Sequence, residues 1–568
     1  MIRVLSTNIT SPLGFTTKEN YRSVKEGRSA LSVHDGWRGI PESFTASLFS
    51  SEQEKALHIE GFTRFESIAI HSIKEALSQI SIDVASERTV LVLSTTKANV
   101  EELASAEDAD GAYCTPGQSA VRISRATGFT TEPVVVCNAC ISGVTAQILA
   151  DRLICNGEYD NIVVCGADCQ SPFVVSGFMS FKSLSPYECR PFDIERLGLN
   201  LGEAAATIVF GKASASGSGE KDTWKLIAGS LNNDAYHVSA PSPVGEGTYN
   251  AASAVLEHID METLATVSVH GTATMFNDQM ESKAIERAGL SEIPITALKG
   301  YYGHTLGAAG MVETIITMES IDEGLVLPVR GYSEIGVSGK VNISSEERST
   351  AKDTFIKLIS GFGGCNGAVA YSKGYVAGLP EYEEKDIRTS CSVKITPSSL
   401  VVDGEKMDTA SEGKGLLTEI YKTYIGDYPK FHKMDILSKL AFVAAEIALR
   451  RSGNETHDEE CAVVLFNGSS SIVADRKHIA TFSKEGEFYP SPSVFLYTLP
   501  NIVTGEIAIK HGYKGETSLY ILNEYNEHTI SSVIKATFAQ SSVKTMIAGW
   551  FDCSSEDSFE AEIKLLTI

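Results

Sequence analysis

Three side chains in this 568-residue chain stand in settings that suit nucleophilic chemistry: Cys140, His270 and His304. The segment PVVVCNACISGVTAQILADRL reads as an apolar strand, a tight turn of small residues, and a helix opening at or just after Cys140. A thiol at a helix N-terminus feels the positive end of the helix dipole, so the pKa of Cys140 is expected to be lowered. The arrangement is the thiol counterpart of a nucleophile elbow. His270 ends the apolar run ATVSV ahead of Gly-Thr-Ala-Thr, and His304 lies in KGYYGHTLGAAGMVETI, beside a Gly/Ala-rich helix start that permits close packing. Each of the three, taken singly, also reads as an ordinary core or surface residue. Together they supply a nucleophile and two groups for acid, base or electrostatic work.

Such residues need a scaffold. Val/Ile-rich runs at Thr89–Ser94, Pro133–Cys137, Asn161–Cys165, Ala205–Phe210 and Val267–Val269 alternate with helix-like stretches at Phe65–Leu77, Gly143–Asn156 and Asn277–Ala288. That alternation predicts an α/β fold of layered sheets and helices. A Gly/Ser-rich piece at Lys212–Asp222 divides residues 1–375 into halves of about 1–214 and 223–375. Residues 376–390, with the EYEEKD run, read as a linker, and residues 391–568 as a further module. That last module repeats the first part of the chain. Under one constant shift Pro116, Ile123, Gly128, Glu132, Thr145, Asp168 and Cys169 fall on Pro500, Ile507, Gly512, Glu516, Thr529, Asp552 and Cys553. The same shift puts Cys140 on Glu524, so the repeat lacks the thiol.

Composition narrows the function classes. With 43% hydrophobic and 21% charged residues the chain is globular, and its length calls for at least two cores. A formal charge of -24 opposes nucleic acid and anionic membranes. Eleven cysteines without a regular framework, no basic-then-apolar start and no long apolar run lead us to expect a cytoplasmic protein without membrane spans.

Five segments, in order, carry a family resemblance: CNACISG, CRPFDIERLGLNLGEAA, VHGTATMFNDQMESKAI, ALKGYYGHTLGAAG and SGFGGCNGAVAY. Residues 1–375 resemble the β-ketoacyl-acyl carrier protein synthases of the thiolase fold. The resemblance implies a layered αβαβα architecture in which Cys140 accepts an acyl chain from a carrier thioester. His270 and His304 would bind a malonyl thioester and promote its decarboxylation to an enolate that attacks the acyl group. It further implies an oxyanion hole from the amides of Cys140 and Phe362, with Phe362 gating the acyl pocket. Lys299 would form a buried ion pair with Glu281, and Thr272, Thr274 and Asn366 would give supporting hydrogen bonds. Arg64, Lys182, Arg190 and Arg196 are candidates for carrier docking, although Arg190 and Arg196 also suit internal carboxylates. No metal or cofactor is expected, since malonyl and acyl groups arrive on acyl carrier protein phosphopantetheine.

The chain departs from the family pattern at Ser360, where Phe is usual, at Cys365 for Thr, at Met275-Phe276 for Pro, and at Leu197 for Asp. The C-terminal module resembles the N-terminal half of a synthase, most of all the shortened chain-length-factor partners of aryl polyene and flexirubin-type ketosynthases. Family members resemble two-fold dimers, so the module is expected in the partner position, in a homodimer or an intramolecular pseudo-dimer. There it either helps close the acyl pocket or only covers an interface. The function expected is decarboxylative condensation in type II polyketide biosynthesis. Fatty-acid elongation shares every catalytic residue. A cysteine hydrolase would not require the Lys299–His304 spacing, and a non-catalytic carrier-binding scaffold would not require Cys140.

Overall fold

The computed structural model describes residues 1–104, 115–213, 223–374, 382–453, 459–482 and 488–568. Most of the Gly/Ser-rich divider and the first part of the expected linker lie outside the described residues. The second module starts earlier than expected, because the strand Arg388–Thr396 begins inside that linker.

Alternation of apolar runs and capped helices gives the expected elements, with small changes at their ends. The helix Arg64–Leu77 is fixed at its start by a capping box, Thr63 accepting from Glu66 N–H while Glu66 accepts from the amide of Thr63. Strands Thr89–Ser94 and Asn161–Asp168 are buried almost throughout, as parallel strands covered on both faces must be.

One sheet runs in the order Ile2–Thr10, Ala204–Lys212, Asn161–Asp168, Thr89–Ser94, Val134–Val136. A second runs Lys225–Asn233, Cys365–Ser372, Thr354–Gly361, Leu264–Ser268, Ile295–Thr296. Helices Ser142–Cys155 and Ala309–Asp322 lie between the two sheets, while Arg64–Leu77 and Glu246–Leu256 cover their outer faces. This is the αβαβα layering of the thiolase fold. The central helices have almost no polar face, because every side of them meets a sheet.

The C-terminal module builds the first sheet again, in the order Thr517–Ile521, Ala462–Asn467, Thr545–Ser555, Ser558–Thr567, Arg388–Thr396. Its edge strand pairs antiparallel with Val134–Val136, Tyr520 opposite Val136 and Ile521 opposite Val135, so both modules share one continuous sheet. The repeat extends to single residues. Asp168 accepts from Thr95 Oγ1 at 2.8 Å and Thr96 N–H at 3.0 Å, and Asp552 accepts from Ser469 N–H at 2.7 Å and Ser469 Oγ at 2.8 Å. Among the described residues the second module has no second sheet. Its helix Glu527–Gln540, which packs on Ser142–Cys155, therefore keeps Glu527, His528 and Lys535 exposed where the first module's helix is buried all round.

Buried charge ties the modules together. Lys97 Nζ lies 2.6 and 2.7 Å from the two oxygens of Asp475 and donates to Thr498 O at 2.7 Å, while Arg152 forks onto Glu516 at 2.9 and 2.7 Å. All four side chains are buried, so loss of one partner strands the other in a dry site.

Candidate active site

The strand Val134–Val136 stops where Cys137 N–H donates across the module boundary to Leu519 O at 3.1 Å. Ala139 then takes a left-handed conformation, φ 47°, which an alanine adopts only at a cost and which turns Cys140 up at the head of the helix Ser142–Cys155. Ser142 Oγ ties the turn, accepting from Asn138 N–H at 2.8 Å and donating to Ala139 O at 2.6 Å.

Cys140, His270 and His304 line one cavity of about 250 Å³, together with Thr272, Thr274, Phe362 and Asn366. The imidazoles meet edge to face, ring centroids 5.2 Å apart. Each has a donor on Nδ1: Lys299 Nζ is 3.1 Å from that atom of His270, and Leu306 N–H is 3.3 Å from that of His304. A neutral imidazole that accepts at Nδ1 carries its proton on Nε2. Both rings therefore present Nε2–H. On His304 that atom is buried and meets no protein acceptor. Burial, and next the Lys299 ammonium, hold both imidazoles well below the usual histidine range, so they are neutral donors at neutral pH.

The thiol behaves contrary to expectation. Burial pushes Cys140 up to about 12, and Lys299 together with its own amide offsets only part of that. Desolvation outweighs the helix end because protein surrounds the sulfur, although the residue stays partly accessible through the cavity.

A second correction concerns Lys299. Its partner is Glu313, at 2.7 Å, on the buried helix Ala309–Asp322, and it also donates to His270 O at 2.6 Å. Glu281 instead accepts from the amides of His270 and Gly271, at 2.5 and 2.8 Å, and burial pushes it up to about 7. The helix Met275–Arg287 brings Glu281 to the N–H side of the His270 loop, while the ammonium sits on its carbonyl side.

Thr272 Oγ1 and Thr274 Oγ1 are 2.9 Å apart on the cavity wall. Asn366 is held by Thr248 at 2.8 Å, Ser360 at 2.7 Å and Asp234 at 3.1 Å, a network the Ser360 departure makes possible. Phe362 stands between this cavity and a smaller apolar chamber of about 20 Å³, lined by Ala139, Val174, Phe178 and Leu306 and by Phe495 and Leu499 of the second module. The second module also holds the Phe362 loop. Asn501 Nδ2 donates to Phe362 O at 2.9 Å, and the helix Ile502–His511 passes so near this loop that a side chain at Gly505 would collide with Gly363.

Three of the four docking candidates have their charge engaged within the chain. Arg64 is mostly buried, tied to Glu203, to Glu54 at 3.3 Å and to Gln170 O at 2.5 Å. Arg196 is buried, donating to Asp193 O at 2.9 Å and Gly336 O at 2.6 Å, and Arg190 pairs with Asp193 at 3.2 Å and Glu195 at 2.5 Å. Carboxylates and carbonyls of the chain engage these guanidiniums, Arg190 staying partly accessible beside the exposed Glu195, and of the four Lys182 is the most exposed. Glu524 is displaced as well. The helix opens two residues after Cys140 in the first module and two after Tyr525 in the second, so Tyr525 takes the nucleophile's place. Both Glu524 and Tyr525 are exposed.

Four residues that the structure places around the site escaped the sequence reading: Glu313, its second buried cation Lys357, Phe495 and Asn501. Glu313 and Lys357 left a trace, a lone charge inside the apolar stretches GMVETIITM and TFIKLIS. Phe495 and Asn501 left none, since their role depends on how the modules meet.

Family models for the β-ketoacyl synthase N-terminal domain and C-terminal domain match residues 14–215 and 226–333. The chain belongs to the β-ketoacyl synthase family. The synthase is a condensing enzyme of the acyltransferase type. It is 25% identical over 402 residues to 3-oxoacyl-[acyl-carrier-protein] synthase 2 of Vibrio harveyi, which covers 64% of this chain and 96% of the relative. The fold of a solved PfaC keto synthase-chain length factor covers 100% of this chain and 78% of that one, with TM-score 0.77 and 14% identity. The ketosynthase ApeO, solved in complex with its chain length factor ApeC from Xenorhabdus doucetiae, covers 65% and 98%, with TM-score 0.56 and 22% identity. Among the described residues no helix is long and apolar enough to cross a membrane.

Proposed function

We propose that the synthase joins acyl and malonyl units carried by an acyl carrier protein, with Cys140, His270 and His304 as its reacting groups. The observation that carries this reading is the pair of neutral Nε2–H imidazoles converging with one thiol on a single cavity. Cys140 attacks the acyl thioester, the amides of Cys140 and Phe362 receive the oxyanion, and the carrier thiol leaves with the cysteine's proton. The malonyl thioester then enters with its carbonyl between the two Nε2–H groups. Its carboxylate leaves as carbon dioxide, and the bonding pair becomes an enolate held by those donors. The enolate carbon attacks the Cys140 thioester, the new carbon–carbon bond forms, and the expelled thiolate takes up a proton. The scheme calls on no metal or cofactor.

The pathway we infer is type II polyketide synthesis of the aryl polyene or flexirubin kind, with the C-terminal module acting as a built-in chain-length factor. Phe495 and Leu499 support this, because they close the chamber into which an acyl chain on Cys140 would grow. Similarity to the Vibrio harveyi enzyme favours a second reading, fatty-acid elongation, which differs only in product. Incubation with acyl-loaded carrier protein followed by mass spectrometry tests the chemistry. An acyl adduct on Cys140 that is absent in Cys140→Ala, then a 3-oxo product after malonyl carrier is added, is the expected result. No adduct under conditions where a fatty-acid synthase loads would leave only a carrier-binding scaffold.

A further inference from the structure

Lys357 is a buried cation that the scheme above leaves unused. It lies in the strand Thr354–Gly361, flanked by Ile356 and Leu358, and its side chain has no exposure. Parallel pairing sets Lys357 beside Ser268, just before the strand end that carries His270. From there its ammonium pairs with Glu313, donates to Val269 O at 2.9 Å and approaches Ser268 O at 3.4 Å. Lys299 makes the matching contacts from the other side, to the second Glu313 oxygen and to His270 O and Nδ1. Two ammoniums thus straddle one carboxylate and hold three consecutive carbonyls. Holding a strand end needs no such group, since an apolar side chain would fill the space without the cost of dehydrating a charge.

We propose that Lys357 is a positioning residue for condensation: by sharing Glu313 with Lys299 it locks the His270 peptide so that the imidazole Nε2–H edge faces the malonyl thioester. An electrostatic consequence follows. Facing the His270 ring and its loop are Lys299, Lys357, Glu313, Glu281, His304 and the Cys140 thiol, with Asp278 bonded to the Ala273 amide further along the loop. Glu281 is pushed up to about 7, so it is only part-ionised at neutral pH and the cations prevail. Without Lys357 the site loses one positive charge and Glu313 loses one partner. Both changes favour the imidazolium, which cannot accept at Nδ1 and so loses the contact with Lys299.

The inference rests on the condensation reading, so the full-length wild type is assayed alongside Lys357→Met and Lys357→Arg, with malonyl- and acyl-loaded bacterial acyl carrier protein as probes. Lys357→Met should lower condensation at least ~10-fold through loss of the His270 anchor, and should move the acid limb, which lies well below the usual histidine range in the wild type, to higher pH as a unit charge leaves the buried cluster. Cys140 acylation should stay within about threefold, and Lys357→Arg, which keeps the charge but not the shape, should leave the acid limb near its wild-type position. Labelled-histidine NMR reads the same shift without turnover: the His270 titration should move up by about one unit in Lys357→Met. If Lys357→Met gives no folded protein, Lys357→Gln carries the same expectations. A folded variant with the wild-type pH profile and wild-type His270 titration overturns the inference. An inert wild type with a shifted His270 titration instead overturns the condensation reading and leaves the role of Lys357 standing.

Discussion

The most informative perturbation is at Phe495, where the second module meets the apolar chamber beside Cys140. The ring is 3% exposed and packs against Phe173, Phe178, Phe181 and His478, with centroids 5.0 to 6.3 Å away. It sits where only a glycine fits opposite, for a side chain at Gly177 would run into the ring. Replacing Phe495 by Ala removes a buried aromatic and costs about 3–5 kcal/mol, whereas Leu keeps most of the volume and costs less. Phe495→Leu is therefore the variant to assay and Phe495→Ala the extreme. The space released faces a chamber of about 20 Å³ that holds no extra unit as it stands. One further malonyl-derived unit adds two carbons, and burial of each contributes about 0.8 kcal/mol. Accommodating one more unit therefore shifts the ratio of longer to shorter product by about 1.6 kcal/mol, roughly 15-fold. Reconstitution with carrier protein and malonyl units, read by product mass, should show longer products for both variants and shorter ones for Gly177→Ala, which crowds the ring. Unchanged lengths in folded, active Phe495→Leu and Phe495→Ala would refute the chain-length role and leave the second module as an interface cover. Deleting the module is a poorer experiment. It would expose the edge strand Val134–Val136 and strand Lys97 and Arg152 without partners.

Two further outcomes follow from the buried charges. Iodoacetamide alkylation of Cys140 should climb about tenfold per pH unit from pH 7 to pH 10 with no plateau, because burial raises the thiol to about 12 and the thiolate fraction keeps growing below that value; a plateau near pH 7 would show instead that the helix end wins. Lys97→Met should destabilise the chain by about 3–5 kcal/mol in denaturant unfolding, since Asp475 is left buried without its cation, and the loss should shrink in the double variant with Asp475→Asn; equal losses in the single and double variants would contradict this account of the interface.

How much was legible beforehand depends on whether a residue's role is local. Cys140, His270 and His304 each sit in a segment whose strand, turn and helix are written in adjacent residues, so their place at loop ends could be read from the chain. The layered fold was equally legible, because the apolar runs and capped helices alternate without long interruptions. The Lys299–Glu281 pair was misread for the opposite reason. Which acid meets the ammonium depends on which helix lies beneath the His270 loop, and that is set by the packing of Ala309–Asp322 between two sheets. The docking arginines failed likewise: a guanidinium's availability depends on carboxylates and carbonyls brought from distant segments, such as Glu203 and Gln170 around Arg64.

Residue order alone therefore determined the chemistry on offer and the repeated half-module without a thiol. Tertiary structure decided the protonation of that chemistry and the shape of its pocket. Desolvation is the physical reason in the first case, for whether Cys140 is thiol or thiolate and whether the imidazoles are neutral depends on how much protein closes over them. In the second case it is the antiparallel join of Val134–Val136 to Thr517–Ile521, which carries Phe495, Leu499 and Asn501 to the Phe362 loop, a meeting that no local pattern encodes.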